Sequence, residues 1–383
     1  MTGRFIKWLL ALVLLVPGGT LAQDPIVIGT TQSLTGHFQE FGVEQLRGLQ
    51  MWADDINSRG RLLGRPVALK YFDDRSRDAG AMEGFTRLLE SEGVDLLVGP
   101  YSSSLTLEAS LVAERFGVPM VTTGASSEEI WSRGLRNVFG IDTPADSYVA
   151  DISVVRDVGA KTAALLYTQT EFGREVAAGI RKNAVKNGIE IVLDSGHEPE
   201  DRDFSAVATR LRALDPDVIV GVTSLEDSVA IVRQLHAAGV EPRMLAFTVG
   251  PALHEFGEML GDQAEGVVGI VQWLRSVPLP GAEDFAYRYR RRYGNNPGVY
   301  AALGYSAGQV LEAAVRLAGT TEPSAVREQL RSMYFRSLLG RYQVDETGRQ
   351  RGKRNYVLQW QEGQRRLIAP TDLADSTMVY PLP

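Results

Sequence analysis

The chain of 383 residues is 44% apolar and 23% charged, an ordinary globular composition that excludes disorder and fibrous architecture and suits two lobes of roughly 100–200 residues. It contains no cysteine, so disulfides, thiolate metal sites, iron–sulfur clusters, cysteine nucleophiles and lipid attachment through an N-terminal Cys are ruled out. A net charge of −7 argues against a nucleic-acid partner held through its phosphates.

The first 22 residues read as a secretory signal peptide. Arg4 and Lys7 precede an apolar run at 8–16, the breaker Pro17-Gly18-Gly19 follows, and small residues at Thr20 and Ala22 set a cut after Ala22. Nine apolar residues are too few for a bilayer core, which needs about 20. Removal of the segment leaves 38 basic against 47 acidic residues, a net charge of −9. The mature protein is therefore expected free in a periplasm.

From Asp24 onward, strands alternate with helices. IVIGTT at 26–31 reads as a strand, followed by a helix presenting Leu46, Leu49, Ala53 and Ile56. VALKYF at 67–72 precedes a helix with Met82, Phe85 and Leu89 inward. DLLVG at 95–99 precedes one with Leu105, Ala109, Val112 and Phe116, and PMVT at 119–122 closes the set. FGIDTPAD at 139–146 has the Gly and Pro of a crossover. The pattern restarts with TAALLY at 162–167 before Val176, Ile180 and Ala184, and IEIVL at 189–193 before Phe204, Val207, Leu211 and Leu214. DVIVGV at 217–222, MLAFTV at 244–249 and GVVGIV at 266–271 follow as strands. Helices are expected near 283–293, 298–318 and 323–332, then a strand-like pair, RYQV and NYVLQW; the tail 367–383 shows little pattern. Two sets of strand–helix units predict an α/β protein of two Rossmann-like lobes with parallel sheets covered by helices.

Signals for catalysis are weak. His37, His197, His236 and His254 lie far apart, and His254-Glu255 lacks the second histidine of a zinc-protease helix, position 258 being Glu. HEPEDRD at 197–203 is acidic without the alternating ligands and Gly of a calcium loop. No GxSxG, Walker loop or strand-following GxGxxG is present, so an exported α/β hydrolase is disfavoured. No catalytic residue, metal or cofactor is expected.

The hydroxyl residues are more informative. SSS at 102–104 lies between the DLLVG strand and its helix, and GASS at 124–127 between PMVT and a helix starting EEIW. Both sit at the C-terminal ends of parallel strands, where open α/β sheets bind ligands. Free helix N–H groups with hydroxyl donors form an anion site suited to a carboxylate, although Ser is also a preferred cap without any ligand.

SLTGHFQEFG at 33–42, INSRGRLLGRPVALKYFDD at 56–74, LLVGPYSSS at 96–104 and FGVPMVTTGASS at 116–127 follow one another in a specific order. TEFGREVAAGIRKNAVKNGIEIV at 170–192, DFSAVATRLRALDPDVIVGV at 203–222, AEGVV at 264–268 and YGNNPGVYAALGYSAG at 293–308 continue it. The mature chain resembles periplasmic solute-binding proteins of ATP-binding-cassette importers, of the leucine/isoleucine/valine-binding type. The resemblance implies a type I periplasmic binding protein fold, two lobes joined by three hinge crossovers: lobe 1 at 23–141 with 272–344, lobe 2 at 142–271 with 345–383. It implies a monomer that captures a small solute, an amino acid or organic acid, and delivers it to a membrane permease, with no enzymatic activity. A sensory module of the same fold presenting its ligand to a receptor is the alternative.

By position, the resemblance assigns Ser103 and Ser126 as hydroxyl donors to a ligand carboxylate, with Ser102 beside them and the backbone of Gly124 and Ala125 adjoining. Phe41, Phe172 and Tyr300 match aromatic pocket positions, and Tyr101 adjoins the serine run. Two departures stand out: Ser76 and Ser102 occupy the positions of a disulfide found in family prototypes, and no acidic residue follows the strand at 244–249, where prototypes hold the ligand ammonium. Ser224-Leu225 replaces an expected tyrosine pair. Either Glu226 or Asp227 supplies the missing charge, or the ligand carries no ammonium.

Overall fold

The structure, a computed structural model, describes residues 24–149 and 158–382; the proposed signal peptide lies outside them. Two sheets form the framework. In the first, β1 (Ile26–Gln32), β2 (Val67–Asp73), β3 (Leu96–Val98), β4 (Met120–Val121) and β5 (Val138–Phe139) run parallel in the order β2-β1-β3-β4-β5. All of β1 except Val27 is buried, as a strand covered on both faces demands. The covering helices are α1 (Gln39–Ser58), α2 (Asp78–Ser91), α3 (Ser103–Phe116) and the single turn α4 (Glu129–Ser132).

The second sheet contains β6 (Thr162–Thr168), β7 (Glu190–His197), β8 (Val218–Val222), β9 (Met244–Phe247) and β10 (Val268–Val271), all parallel, with an antiparallel hairpin of β13 (Tyr356–Gln361) and β14 (Gln364–Ala369) on one edge. Its helices are α5 (Glu171–Asn187), α6 (Ser205–Leu214), α7 (Leu225–Ala237) and α8 (His254–Leu260). The chain then returns to the first sheet with α9 (Ala282–Tyr293), α10 (Val299–Ala318), α11 (Pro323–Ser332) and a small hairpin of β11 (Phe335–Ser337) and β12 (Gly340–Tyr342). It crosses between the sheets after β5, after β10 and after β12.

Several sequence expectations need correction. Met82 and Leu214 are exposed rather than inward, because Ala81, Phe85 and Leu88 make the buried stripe of α2, and Ala208 with Leu211 that of α6. The strand β5 falls where a crossover alone was expected. RYQV and NYVLQW are not partners: the former contributes β12, which pairs with β11, and the latter is β13, which pairs with β14 in the tail.

The helices that carry the cleft are set by glycines. A Cβ on Gly48 would lie 1.9 Å from the Ala301 carbonyl, and one on Gly304 would lie 2.0 Å from that of Gln45. The backbones of α1 and α10 thus touch, with the Trp52 ring over Gly308. This contact brings the N-terminal turns of α1 and α10, and with them Phe41 and Tyr300, to the same point, ring centroids 4.7 Å apart.

Candidate functional site

Between the sheets lies a cavity of about 300 Å³. Its wall is drawn from the C-terminal ends of strands of both sheets: Tyr101 to Ser104 after β3, Gly124 and Ser126 after β4, Thr168 and Thr170 at β6, Thr223 and Ser224 after β8, Val249 after β9 and Gln272 after β10. Five helices, α1, α3, α5, α7 and α10, expose first-turn residues to it. Each helix start carries about +0.5 elementary charge, which favours an anion near the serine loops; the carboxylates on the wall, Glu171, Glu200 and Asp227, lie elsewhere on it, the last beside Arg202.

Ser102 adopts φ 80 and ψ 152 and caps α3, its hydroxyl accepting from the Leu105 N–H at 3.3 Å. This left-handed, non-glycine backbone is strained by about 1–3 kcal/mol, and it turns Ser103 toward the loop after β4. There Ser103 Oγ accepts from the N–H groups of Ser126 and Ser127 at 3.2 and 3.1 Å. With both lone pairs engaged, its hydroxyl can only donate, and among the described residues it donates to none. Such a donor at a cavity wall suits a carboxylate oxygen.

Of the residues singled out in sequence, Phe41, Tyr101, Ser102, Ser103, Gly124, Ser126, Phe172 and Tyr300 line this one cavity. Ala125 and Glu226 do not. Ala125 is fully buried behind the wall and its N–H points to Asp142 Oδ2 at 3.4 Å. Glu226 is exposed, 4.0 Å from Arg202 Nη2. Asp227 lines the cavity instead; its Oδ1 accepts from Arg202 Nε at 3.2 Å, while Oδ2 accepts from Thr168 Oγ1 at 3.3 Å and lies 3.4 Å from His197 Nε2. Despite burial, which opposes ionisation, the His197, Ser224 and Arg202 side chains hold Asp227 below the usual carboxylate range.

Sequence reasoning also missed Tyr148, Thr223 and Gln272. Tyr148 and Gln272 sit on crossovers, which periodicity does not address. The position of Thr223 after a parallel strand is the same signal that marked the serines.

The halves are latched beside the cavity. Glu175 of α5 accepts from Ser127 Oγ at 2.8 Å and from the Glu128 N–H at 2.7 Å, and Arg349 of the third crossover holds Glu128 through two hydrogen bonds of 2.6 and 2.9 Å.

Glu44 of α1 is half-buried nearby with its carboxyl end turned inward, Oε1 accepting from the Gly298 N–H at 3.2 Å and Oε2 buried without a partner among the described residues. Burial raises it to about 7; the Gly298 N–H opposes the shift and Glu255 and Glu40 add to it. A folded-state value above the unfolded one gives a contribution fully present below about 4.5 and lost as pH rises through about 7. The stability of the native protein should therefore fall between pH 5 and 8.5 by up to about 3 kcal/mol through this group. Urea unfolding of Glu44→Gln should lack that part of the slope; an identical pH profile would dissociate Glu44 from it.

Two α/β lobes enclosing an anion-favouring cleft, with three crossovers behind it, define a solute-binding protein of the type I periplasmic binding protein fold. The chain belongs to the periplasmic binding protein family, whose model matches residues 25–365; this is a family of binding proteins, not of enzymes. An amino acid binding protein of Pseudomonas aeruginosa is 27% identical over 364 residues, 94% of this chain and 96% of that one. A Leu/Ile/Val-binding protein homolog of Brucella abortus is 23% identical, covering 94% of each chain. Among solved structures, the branched-chain amino acid substrate-binding protein LivJ of Streptococcus pneumoniae, in complex with isoleucine, superposes with a TM-score of 0.80 at 22% identity, covering 94% of this chain and 100% of that one. A solute-binding protein of R. palustris in complex with benzoate gives 0.78 at 20%, covering 90% and 96%. These superpositions establish the fold. Among the described residues no helix is long and apolar enough to cross a membrane.

Proposed function

We propose that the protein is the exported substrate-binding component of an ATP-binding-cassette importer, acting as a monomer that captures a small carboxylate-bearing solute between its lobes and presents it to a membrane permease. The N-terminal segment would be removed after Ala22, and the lobes would comprise 23–141 with 272–344 and 142–271 with 345–383. The observation that carries this reading is the Ser103 hydroxyl, left with a proton to give and no acceptor among the described residues, in a cavity faced by five helix starts. The relatives named for amino acids, and the folds solved with isoleucine and with benzoate, support it: these ligands share a carboxylate and an apolar body.

Ser103 and Ser126 anchor the carboxylate, and the Phe41, Tyr101 and Tyr300 rings, with Phe172 opposite, cover the apolar body. Ser103→Ala and Ser126→Ala should each weaken binding by about 1–3 kcal/mol, roughly 5- to 150-fold, by leaving a buried carboxylate oxygen unpaired. Isothermal titration with the ligand identified by thermal-shift screening of amino and organic acids reads this out. A cleft that binds none of these acids, or serine variants of unchanged affinity, contradicts the assignment. A bound ligand at a hundredfold excess over Kd adds about 2.7 kcal/mol of stability, well within the reach of such a screen.

A further inference from the structure

An amino acid would bring an ammonium into the cleft as well as a carboxylate, and a desolvated ammonium needs an acidic partner. Three acids line the cavity: Asp227, Glu171 and Glu200. Each oxygen of Asp227 already accepts a hydrogen bond, and the Arg202 guanidinium that binds one of them also lines the cavity. A second cation there would face a guanidinium across a carboxylate already neutralised. Glu171 is paired with Arg174 at 2.5 Å, and Glu200 is exposed, so that water screens it. After β9 the wall is Val249. The five helix starts add positive potential on every side.

The apolar part of the cavity is aromatic. Phe41, Tyr101 and Tyr300 form one cluster with centroids 4.6, 4.7 and 5.2 Å apart, and Tyr148 meets Phe172 edge-on at 5.2 Å. Flat rings of this kind offer faces and edges to another ring. Among the described wall residues one fully buried side-chain polar atom is unanswered: Thr223 is 3% exposed and its Oγ1 has no hydrogen-bond partner among them. Thr223 follows β8 of the second sheet, across the cavity from the Ser103 loop.

We infer that the cleft is built for an aromatic monocarboxylate lacking an ammonium group, with the Thr223 hydroxyl placed to pair with an oxygen substituent on the ring. This rests on the proposal that the Ser103 loop binds a carboxylate.

The test is calorimetry on the exported protein, stripped of retained ligand by unfolding and refolding, with matched pairs. 3-Phenylpropanoate against L-phenylalanine, and 4-methylpentanoate against L-leucine, differ only in the ammonium. The desamino member of each pair should bind at least about tenfold more tightly, and the aromatic acid more tightly than the aliphatic one. 4-Hydroxybenzoate should bind more tightly than benzoate, and Thr223→Val should erase that difference. Leucine or phenylalanine binding more tightly than its desamino analogue overturns the inference while leaving the carboxylate proposal standing, as does 4-methylpentanoate outranking 3-phenylpropanoate. Tight binding of 2-phenylethylamine, with none of the acids bound, overturns both. A difference between the benzoates that survives in Thr223→Val removes Thr223 from the site.

Discussion

Gly304→Ala is expected to destabilise the protein by about 2 kcal/mol or more, and Gly48→Ala by a similar amount, although alanine is the better helix former. The intrinsic preference favours the variants by about 1 kcal/mol per site. Against it stands a methyl group 2.0 Å from the Gln45 carbonyl or 1.9 Å from that of Ala301, where backbone, not a movable side chain, must yield. Overpacking of this kind costs about 1–3 kcal/mol and more when a whole helix must shift. The effect should also reach the cleft. Widening the α1–α10 contact separates Phe41 from Tyr300, so ligand affinity should fall in the folded fraction as well. Urea unfolding followed by calorimetry below the transition separates the two losses; a variant as stable as the native protein would show that the helices part at no cost.

Most of the fold was legible because it rests on local regularities. The mainly apolar runs at 26–31, 162–167 and 217–222 became strands within a residue or so of their expected ends, since a strand buried on both faces must be largely apolar. What escaped had weak local signals. β5 is two residues long and holds its place through β4, not through propensity. The β13–β14 hairpin was hidden by reading NYVLQW against RYQV. Its turn, Glu362-Gly363, has φ of 52 and 67, the left-handed pair that closes a two-residue hairpin, and the Gly was visible in sequence. At the site, the serine runs at 102–104 and 124–127 were readable by topology and the resemblance singled out Ser103 and Ser126 within them; both line the cavity. Glu226 and Asp227 are neighbours on a helix whose rotation the sequence left open by about 100° per residue. The structure turns Asp227 inward and Glu226 out. Asp142, Gln272 and Lys353 were not recognised at all, because they lie 130 and 81 residues apart and meet only when the three crossovers are side by side.

That meeting carries the second large effect. Asp142 follows β5 and is fully buried; Gln272 follows β10; Lys353 lies on the third crossover. The Gln272 amide donates to Asp142 Oδ1 at 3.3 Å and accepts from Lys353 Nζ at 2.6 Å, and its Oε1 also takes the Thr143 N–H. Asp142 further accepts from the backbone N–H of Ala125, tying the crossovers to the loop that lines the cleft. Burial pushes the Asp142 carboxyl up, with Lys353 opposing, and pushes the Lys353 ammonium down, with Asp142 opposing. Each group thus favours the charged form of the other, with Gln272 bonded to both. Lys353→Met should cost about 3–5 kcal/mol, the penalty of leaving the fully buried Asp142 carboxylate uncompensated, and Asp142→Asn less, because Lys353 is only half-buried, whereas the double variant should recover most of the loss. The two single variants should also respond to pH in opposite directions. In Lys353→Met, the raised Asp142 contributes stability at low pH that is lost as pH rises through its folded-state value. In Asp142→Asn, the depressed Lys353 contributes stability at high pH that is lost as pH falls through its own. Urea unfolding of the three variants at pH 5 and 8.5 measures both the coupling and the slopes. Additive losses, or slopes of the same sign, would mean that the crossovers are held by their backbone alone and that the charges are bystanders to hinge stability.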